Sequence, residues 1–169
     1  MDISKNSVSI AGEFAVLSQL ALRGYDANMT LGNTKNVDIL VSNPKNGKMY
    51  RLEVKTSYNN KPAFAKLFGR TLIWVMSEKH EVITDPNLFY CFVNIEKETN
   101  SFRFFILPSK VVAEYVRNQH KYWLNRDEGK HTGVNPTTMR AFRIGIDKTG
   151  YTIPTPLIKD YENRWDLLA

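Results

Sequence analysis

Residues 37–55 read VDILVSNPKNGKMYRLEVK, and their alternation decides the fold around them. Val37-Asp38-Ile39-Leu40-Val41 and Tyr50-Arg51-Leu52-Glu53-Val54-Lys55 are two strand-forming runs, separated by the turn Asn43-Pro44-Lys45-Asn46-Gly47. Asn-Gly is the strongest short hairpin signal, because both residues tolerate the positive φ of a tight turn. Successive side chains on a strand point to opposite faces. Val37, Ile39 and Val41 therefore share one face, and Asp38 lies with Leu40 on the other; on the partner strand Leu52 and Val54 alternate with Glu53 and Lys55. A two-residue turn at Asn46-Gly47 sets Asp38 opposite Lys55 with Glu53 diagonal. A slip of two residues sets Asp38 opposite Glu53 instead. In either register the aliphatic residues face together, and so do Asp38, Glu53 and Lys55.

Two carboxylates about 4 Å apart repel by roughly 4 kcal/mol at an effective dielectric of about 20. A lysine offsets part of that repulsion and a divalent cation offsets more. Mg²⁺ takes oxygen ligands, keeps several waters, and is typically held by one or two carboxylates and a phosphate. A lysine beside such an ion can orient the attacking water and stabilise the charge of a pentavalent phosphorus transition state. The plainer alternative is a cross-strand ion pair of Lys55 with Asp38 or Glu53 on a solvated sheet face.

Ahead of the hairpin, Ser9 can cap a helix that starts at Ile10, and Gly24 suits the position just past its end. Ile10, Phe14, Leu17 and Ala21 recur at helical spacing as an apolar stripe that Val16 and Leu20 widen. Residues 25–30 read as a short edge strand. Residues 57–70, polar, basic and aromatic in mixture, read as a loop or short helix. Leu88–Ile95 and Phe102–Leu107 are strands joined by a polar turn, and Pro108-Ser109 opens a helix carrying Val112, Tyr115, Val116 and Trp123. A strand at Met139–Ile146 and a short helix around Tyr161–Leu168 complete the chain. The order predicts an α/β fold with a central mixed sheet flanked by helices.

The 169 residues fit one domain over residues 1–169, with a core over about 9–123 and a C-terminal extension over 124–169. With 43% apolar and 24% charged residues the chain reads as an ordinary globular protein, which excludes disorder as the main property. The single cysteine, Cys91, lies in an apolar strand and reads as an inert core thiol. The chain shows no zinc-type Cys/His spacing, no phosphate-loop or dinucleotide fingerprint, no signal-peptide-like start and no apolar run of membrane length. It reads as cytoplasmic, with no membrane partner. The net charge is +6, and residues 44–79 carry eight Lys and Arg against two Glu, an excess equal to that of the whole chain. Polyanions are therefore plausible partners.

Glu13 in the first helix, Asp38 in the second strand and Glu53-Val54-Lys55 in the third resemble the signature of the PD-(D/E)xK nuclease superfamily. The arrangement, with a helical glutamate ahead of the hairpin, is similar to archaeal Holliday-junction resolvases and related restriction-like endonucleases. The resemblance covers roughly residues 9–107, and its one departure is Val37 where the superfamily's name has proline. It implies a restriction-endonuclease-like core and a Mg²⁺-dependent DNA endonuclease, with Mn²⁺ as a possible substitute. Asp38, Glu53 and the Val54 carbonyl would bind the metal, Lys55 would position the attacking hydroxide, and Glu13 would reach the ion through water or hold a second one. The products would be a 5′-phosphate and a 3′-hydroxyl. The alternative for Glu13 is an acid placed in a helix's first turn, worth about 0.3–1 kcal/mol.

Lys61, Lys66 and Arg70 interleave with Tyr58, Phe64 and Phe68, a pattern suited to nucleic-acid backbone contacts. Arg117, Lys121, Arg126, Arg140 and Arg143 can extend that surface, and Trp123 and Trp165 read as core or subunit-contact residues. Nucleases of this size commonly cut both strands as homodimers. The alternative function is a non-catalytic nucleic-acid-binding module or accessory subunit that keeps the fold.

Overall fold

The computed structural model describes residues 3–30, 37–59, 63–65, 68–125, 138–146 and 148–169, residues 63–65 by their backbone. Helix α1 spans Lys5–Ala21, five residues longer at its start than the sequence reading. Ser4, not Ser9, is the cap, its hydroxyl accepting from the Ser7 amide at 3.1 Å. Gly24, at φ +78°, turns the chain just past the helix end, as expected of a left-handed position.

The buried face of α1 is Gly12, Val16 and Leu20, and the predicted stripe is rotated outward: Ile10 is 42% and Phe14 58% exposed. Gly12 is the physical reason. A Cβ added there would lie 1.9 Å from Thr56 Oγ1, so only glycine lets the helix backbone settle this closely on the third strand. The seam follows the closest approach, not the largest side chains.

Strands β1 (Asp26–Met29), β2 (Ile39–Ser42), β3 (Met49–Tyr58), β6 (Leu88–Ile95) and β7 (Phe102–Pro108) form a five-stranded sheet in the order β1-β2-β3-β6-β7. Neighbours are antiparallel except β3 and β6, which run parallel, so the sheet is mixed as predicted. The hairpin adopts the slipped register, with Ile39 opposite Leu52 and Ser42 opposite Met49. The turn explains the slip. Residues 43–48 all belong to it, closed by Asn43 N to Lys48 O at 2.9 Å and Gly47 N to Asn43 O at 2.8 Å. Asn43 is buried, accepts from the Lys45 amide and donates to the Leu168 carbonyl, so this asparagine outweighs the Asn-Gly pair.

Each face of the sheet carries its own core. On one face α1 covers Ile39, Val41, Leu52, Val54, Cys91 and Ile106, joined by Trp165 and Leu168 from the C-terminal 3-10 turn. On the other, Tyr90, Phe92, Phe105 and Leu107 pack under helix α2 (Ser109–Asn125) and a second sheet. That sheet, β4 (Ala63–Ala65), β5 (Gly69–Ser77) and β8 (Met139–Ile144), replaces the loop or short helix read for residues 57–70. The apolar run Leu72–Met76 is the middle of β5, and the Trp74 indole donates to the Val93 carbonyl at 2.9 Å, tying the two sheets together. All eight residues of β6 are buried, as a strand covered on both faces requires. A short helix α3 (Ile158–Tyr161) packs on β7. Among the described residues no helix is long and apolar enough to cross a membrane.

Candidate active site

The site forms where β2 begins. Asp38 is the residue just before β2, and its main chain is held on both sides. Its amide donates to the Leu52 carbonyl at 2.8 Å, and its carbonyl accepts from the Thr30 amide at 2.9 Å. The β2–β3 ladder ends at Ile39 and Leu52, and Asp38 leaves it with its amide turned to the Leu52 carbonyl. Beyond that point β3 has no β2 residue beside it. The Asp38 carboxylate supplies the missing acceptor: its Oδ2 takes the Val54 N–H at 2.7 Å. Leu52 and Val54 turn their backbone groups to the same side, as residues two apart on a strand do, so the Val54 carbonyl faces the Asp38 edge.

Glu53 is 4% exposed, its charge compensated by an ion pair with Lys55 Nζ from two residues along the same face. In β6 the residue beside Glu53 is Tyr90 and the residue beside Lys55 is Phe92, so the polar pair borders the second core. Beneath it His80 Nδ1 lies 2.7 Å from the Tyr90 hydroxyl. Burial first, then the Lys55 and Lys79 charges, push His80 down to about 4, so this imidazole is neutral at pH 7.

Glu13 reaches the cluster from α1. It is the ninth residue of the helix, so the helix-end explanation of an acid in the first turn no longer applies. Ser9 donates to Glu13 Oε1 at 3.1 Å. The Glu13 carboxyl is held above its ordinary range by burial and then by the Asp38 charge, with Glu53 adding to the shift; the Ser9 bond and the Lys55 charge oppose it. The same four side chains named from the sequence thus lie within electrostatic reach of one another.

The donors suit a hard divalent cation. One oxygen of Asp38 is oriented by the Val54 amide and one of Glu53 by Lys55, and a carboxylate offers about four lone-pair sites. Among the described residues no three Asp, Glu, His or Cys side chains converge as a complete ion cage. Two carboxylates, a backbone carbonyl and waters are a set that Mg²⁺ accepts.

The remaining predicted positions divide. Arg70 is exposed at the start of β5, about 10 Å of strand before Ile73, which lines the groove beside Lys55. Lys61, Lys66 and Arg126 and the Phe64 side chain lie outside the described residues. Phe68 is buried, with the Arg143 guanidinium 3.7 Å from its ring centre. The Arg140 side chain is 8% exposed and paired with Glu81, so neither arginine extends a basic surface. Burial pushes the Cys91 thiol up, in keeping with an inert core residue. Trp165 is core, and Trp123 stacks on His120. Sequence reasoning missed the groove itself, whose far wall is β5; the apolar run Leu72–Met76 was its only signal.

No protein-family model matches the chain, and no curated protein matches it. Among solved structures it is similar to a bacterial homing endonuclease, I-Ssp6803I, with a TM-score of 0.54 over 98% of this chain and 91% of that one, at 13% sequence identity. At that identity the likeness shows the fold alone, which in this chain is a mixed sheet flanked by helices.

Proposed function

We propose that this protein is a metal-dependent DNA endonuclease of the PD-(D/E)xK type. The observation that carries the reading is the gathering of Asp38, Glu53, Lys55 and Glu13 where β2 begins beside β3. The likeness in fold to a protein described as a homing endonuclease supports it independently of the motif.

Asp38, Glu53 and the Val54 carbonyl would hold Mg²⁺, or Mn²⁺ in its place. When bound, the ion supplies Lewis-acid polarisation of the phosphate and activation of a water. The chain's own residues do the rest. The Val54 amide fixes one Asp38 oxygen, so the carboxylate keeps a single orientation. Glu53 holds Lys55, and the ammonium stabilises negative charge as it grows on the phosphoryl oxygens. Glu13, reaching in from α1, would meet the ion through water or hold a second one. Water adds to phosphorus and the P–O3′ bond breaks, leaving a 5′-phosphate and a 3′-hydroxyl. A homodimer that cuts both strands belongs to the same proposal.

The test compares cleavage of plasmid and of a four-way junction in Mg²⁺, Mn²⁺ and EDTA, by wild type and Lys55→Ala. Metal-dependent cutting that is lost in Lys55→Ala is the expected result, and the better substrate separates a resolvase from a duplex-cutting enzyme. Binding without cutting under every metal would overturn the reading in favour of a non-catalytic nucleic-acid-binding module.

A further inference from the structure

A groove of about 660 Å³ runs from Lys55 along the open edge of β3, between the start of α1 and strand β5. Its described lining includes Lys5, Lys55 and Lys97 and no Asp or Glu. Ser57, Tyr58 and Asn59 continue the β3 wall, so the groove reaches about 13 Å beyond Lys55 at the rise of an extended strand. Lys5 stands in the first turn of α1, which has no acidic residue, and a cation there is disfavoured by the helix dipole. A bound anion would relieve that. At the far end the Lys97 ammonium lies 5.2 Å from the centre of the Tyr58 ring. The adjacent Glu96 is engaged by the Thr99 and Ser101 hydroxyls.

Resting on the nuclease reading, we propose that this groove seats the nucleic-acid strand on one side of the bond to be cut, with Lys97 as a phosphate clamp held in place by the Tyr58 ring. Lys97 and Tyr58 are positioning residues: they set where the strand lies relative to Lys55 and make no contact with the reacting atoms. The ring face attracts the ammonium and limits its freedom, so Lys97 is ordered before the phosphate arrives. Lys5 closes the opposite rim.

The experiment measures binding of a labelled duplex in EDTA over a range of salt concentrations, and KM and kcat for its cleavage in Mg²⁺. The proteins are wild type, Lys97→Ala, Tyr58→Phe, Tyr58→Leu and, as a control for charge alone, Lys159→Ala on α3. Lys97→Ala raises KM about fivefold at unchanged kcat and lowers the slope of log K against log salt by about one. Tyr58→Leu behaves as Lys97→Ala does, and Tyr58→Phe, which keeps the ring face, restores wild-type KM. Lys159→Ala leaves both quantities unchanged. If wild type cuts and Lys97→Ala matches it in KM and salt slope, the clamp is overturned and the nuclease reading stands. An equal loss in Lys159→Ala overturns it too, by showing that any surface lysine serves. If wild type binds through Lys97 and never cuts, the groove stands and the nuclease reading falls. Neither binding nor cutting overturns both.

Discussion

The two halves of β3 behave as different structures. Residues 49–52 pair with β2 on one side, and β6 joins on the other from Arg51 onward; Tyr50 and Leu52 are buried. Residues 53–58 keep β6 alone, and from Lys55 onward they are half-exposed. A strand that loses a neighbour presents unpaired backbone groups, which is ordinarily a liability. Here the open edge carries the site, because the Asp38 carboxylate takes the place of a strand carbonyl on the Val54 amide. The paired half supplies rigidity, and the unpaired half uses that rigidity to hold charge.

Substitutions can break the comparison. The largest effect belongs to the paired half. Leu52 is fully buried, and Leu52→Ala lowers the free energy of unfolding in urea by about 3 kcal/mol, within the roughly 2–5 kcal/mol range for such truncations. Lys55→Ala, in the open half, removes cleavage; it leaves the Glu53 carboxylate without its cation, but the groove beside it admits water, so the urea midpoint falls less than in Leu52→Ala. If Lys55→Ala unfolds the protein as readily as Leu52→Ala does, the division of labour is wrong.

Next comes the seam that brings Glu13 to the open half. Gly12→Ala places a methyl against Thr56 and costs about 1–3 kcal/mol, read as a lower melting temperature. Cleavage falls with it, because α1 must move away from β3. Unchanged cleavage would mean that this close approach does not position Glu13.

The underside of the open half predicts a pH effect. The unfolded His80 titrates near 6.5 and the folded one at about 4, so the unfolded state binds more protons between those values. Stability is therefore fully present above pH 6.5 and declines as pH falls toward 4, by on the order of 2 kcal/mol. His80→Gln flattens that part of a melting-temperature profile. Glu13 acts in the opposite sense: its raised pKa gives stability at low pH that is lost as pH rises through the folded value.

The smallest effects sharpen the contrast. Asp38→Asn keeps an oxygen for the Val54 amide and removes one of three neighbouring carboxylate charges, so unfolding stability stays equal or rises by up to about 1 kcal/mol while cutting is lost. Thr56→Val replaces a buried hydroxyl that has no hydrogen-bond partner and stabilises by about 1 kcal/mol in the same assay.

Much of this was legible in the sequence. Strands β1, β2, β3, β6, β7 and β8 and helix α2 follow from alternation, turn chemistry and helical spacing, which are local properties. So does the gathering of Asp38 with Glu53 and Lys55, which the slip of two residues leaves in place. The errors arose where a distant contact outweighed a local signal. Asn43 bonds to Leu168, 125 residues away, and lengthens the turn that Asn46-Gly47 suggested. Gly12 meets Thr56 and turns α1 so that Phe14 faces outward. The second sheet joins β5 to β8 across more than sixty residues, a pairing that no window of sequence contains.

By itself, then, the sequence determined which side chains the hairpin gathers into the candidate site, because side-chain alternation is a property of the extended chain. The tertiary structure decided the register, the face of α1 that is buried, and the groove between β3 and β5. Each of these depends on how closely two backbones distant in sequence can approach, and that distance is set by the groups that meet there.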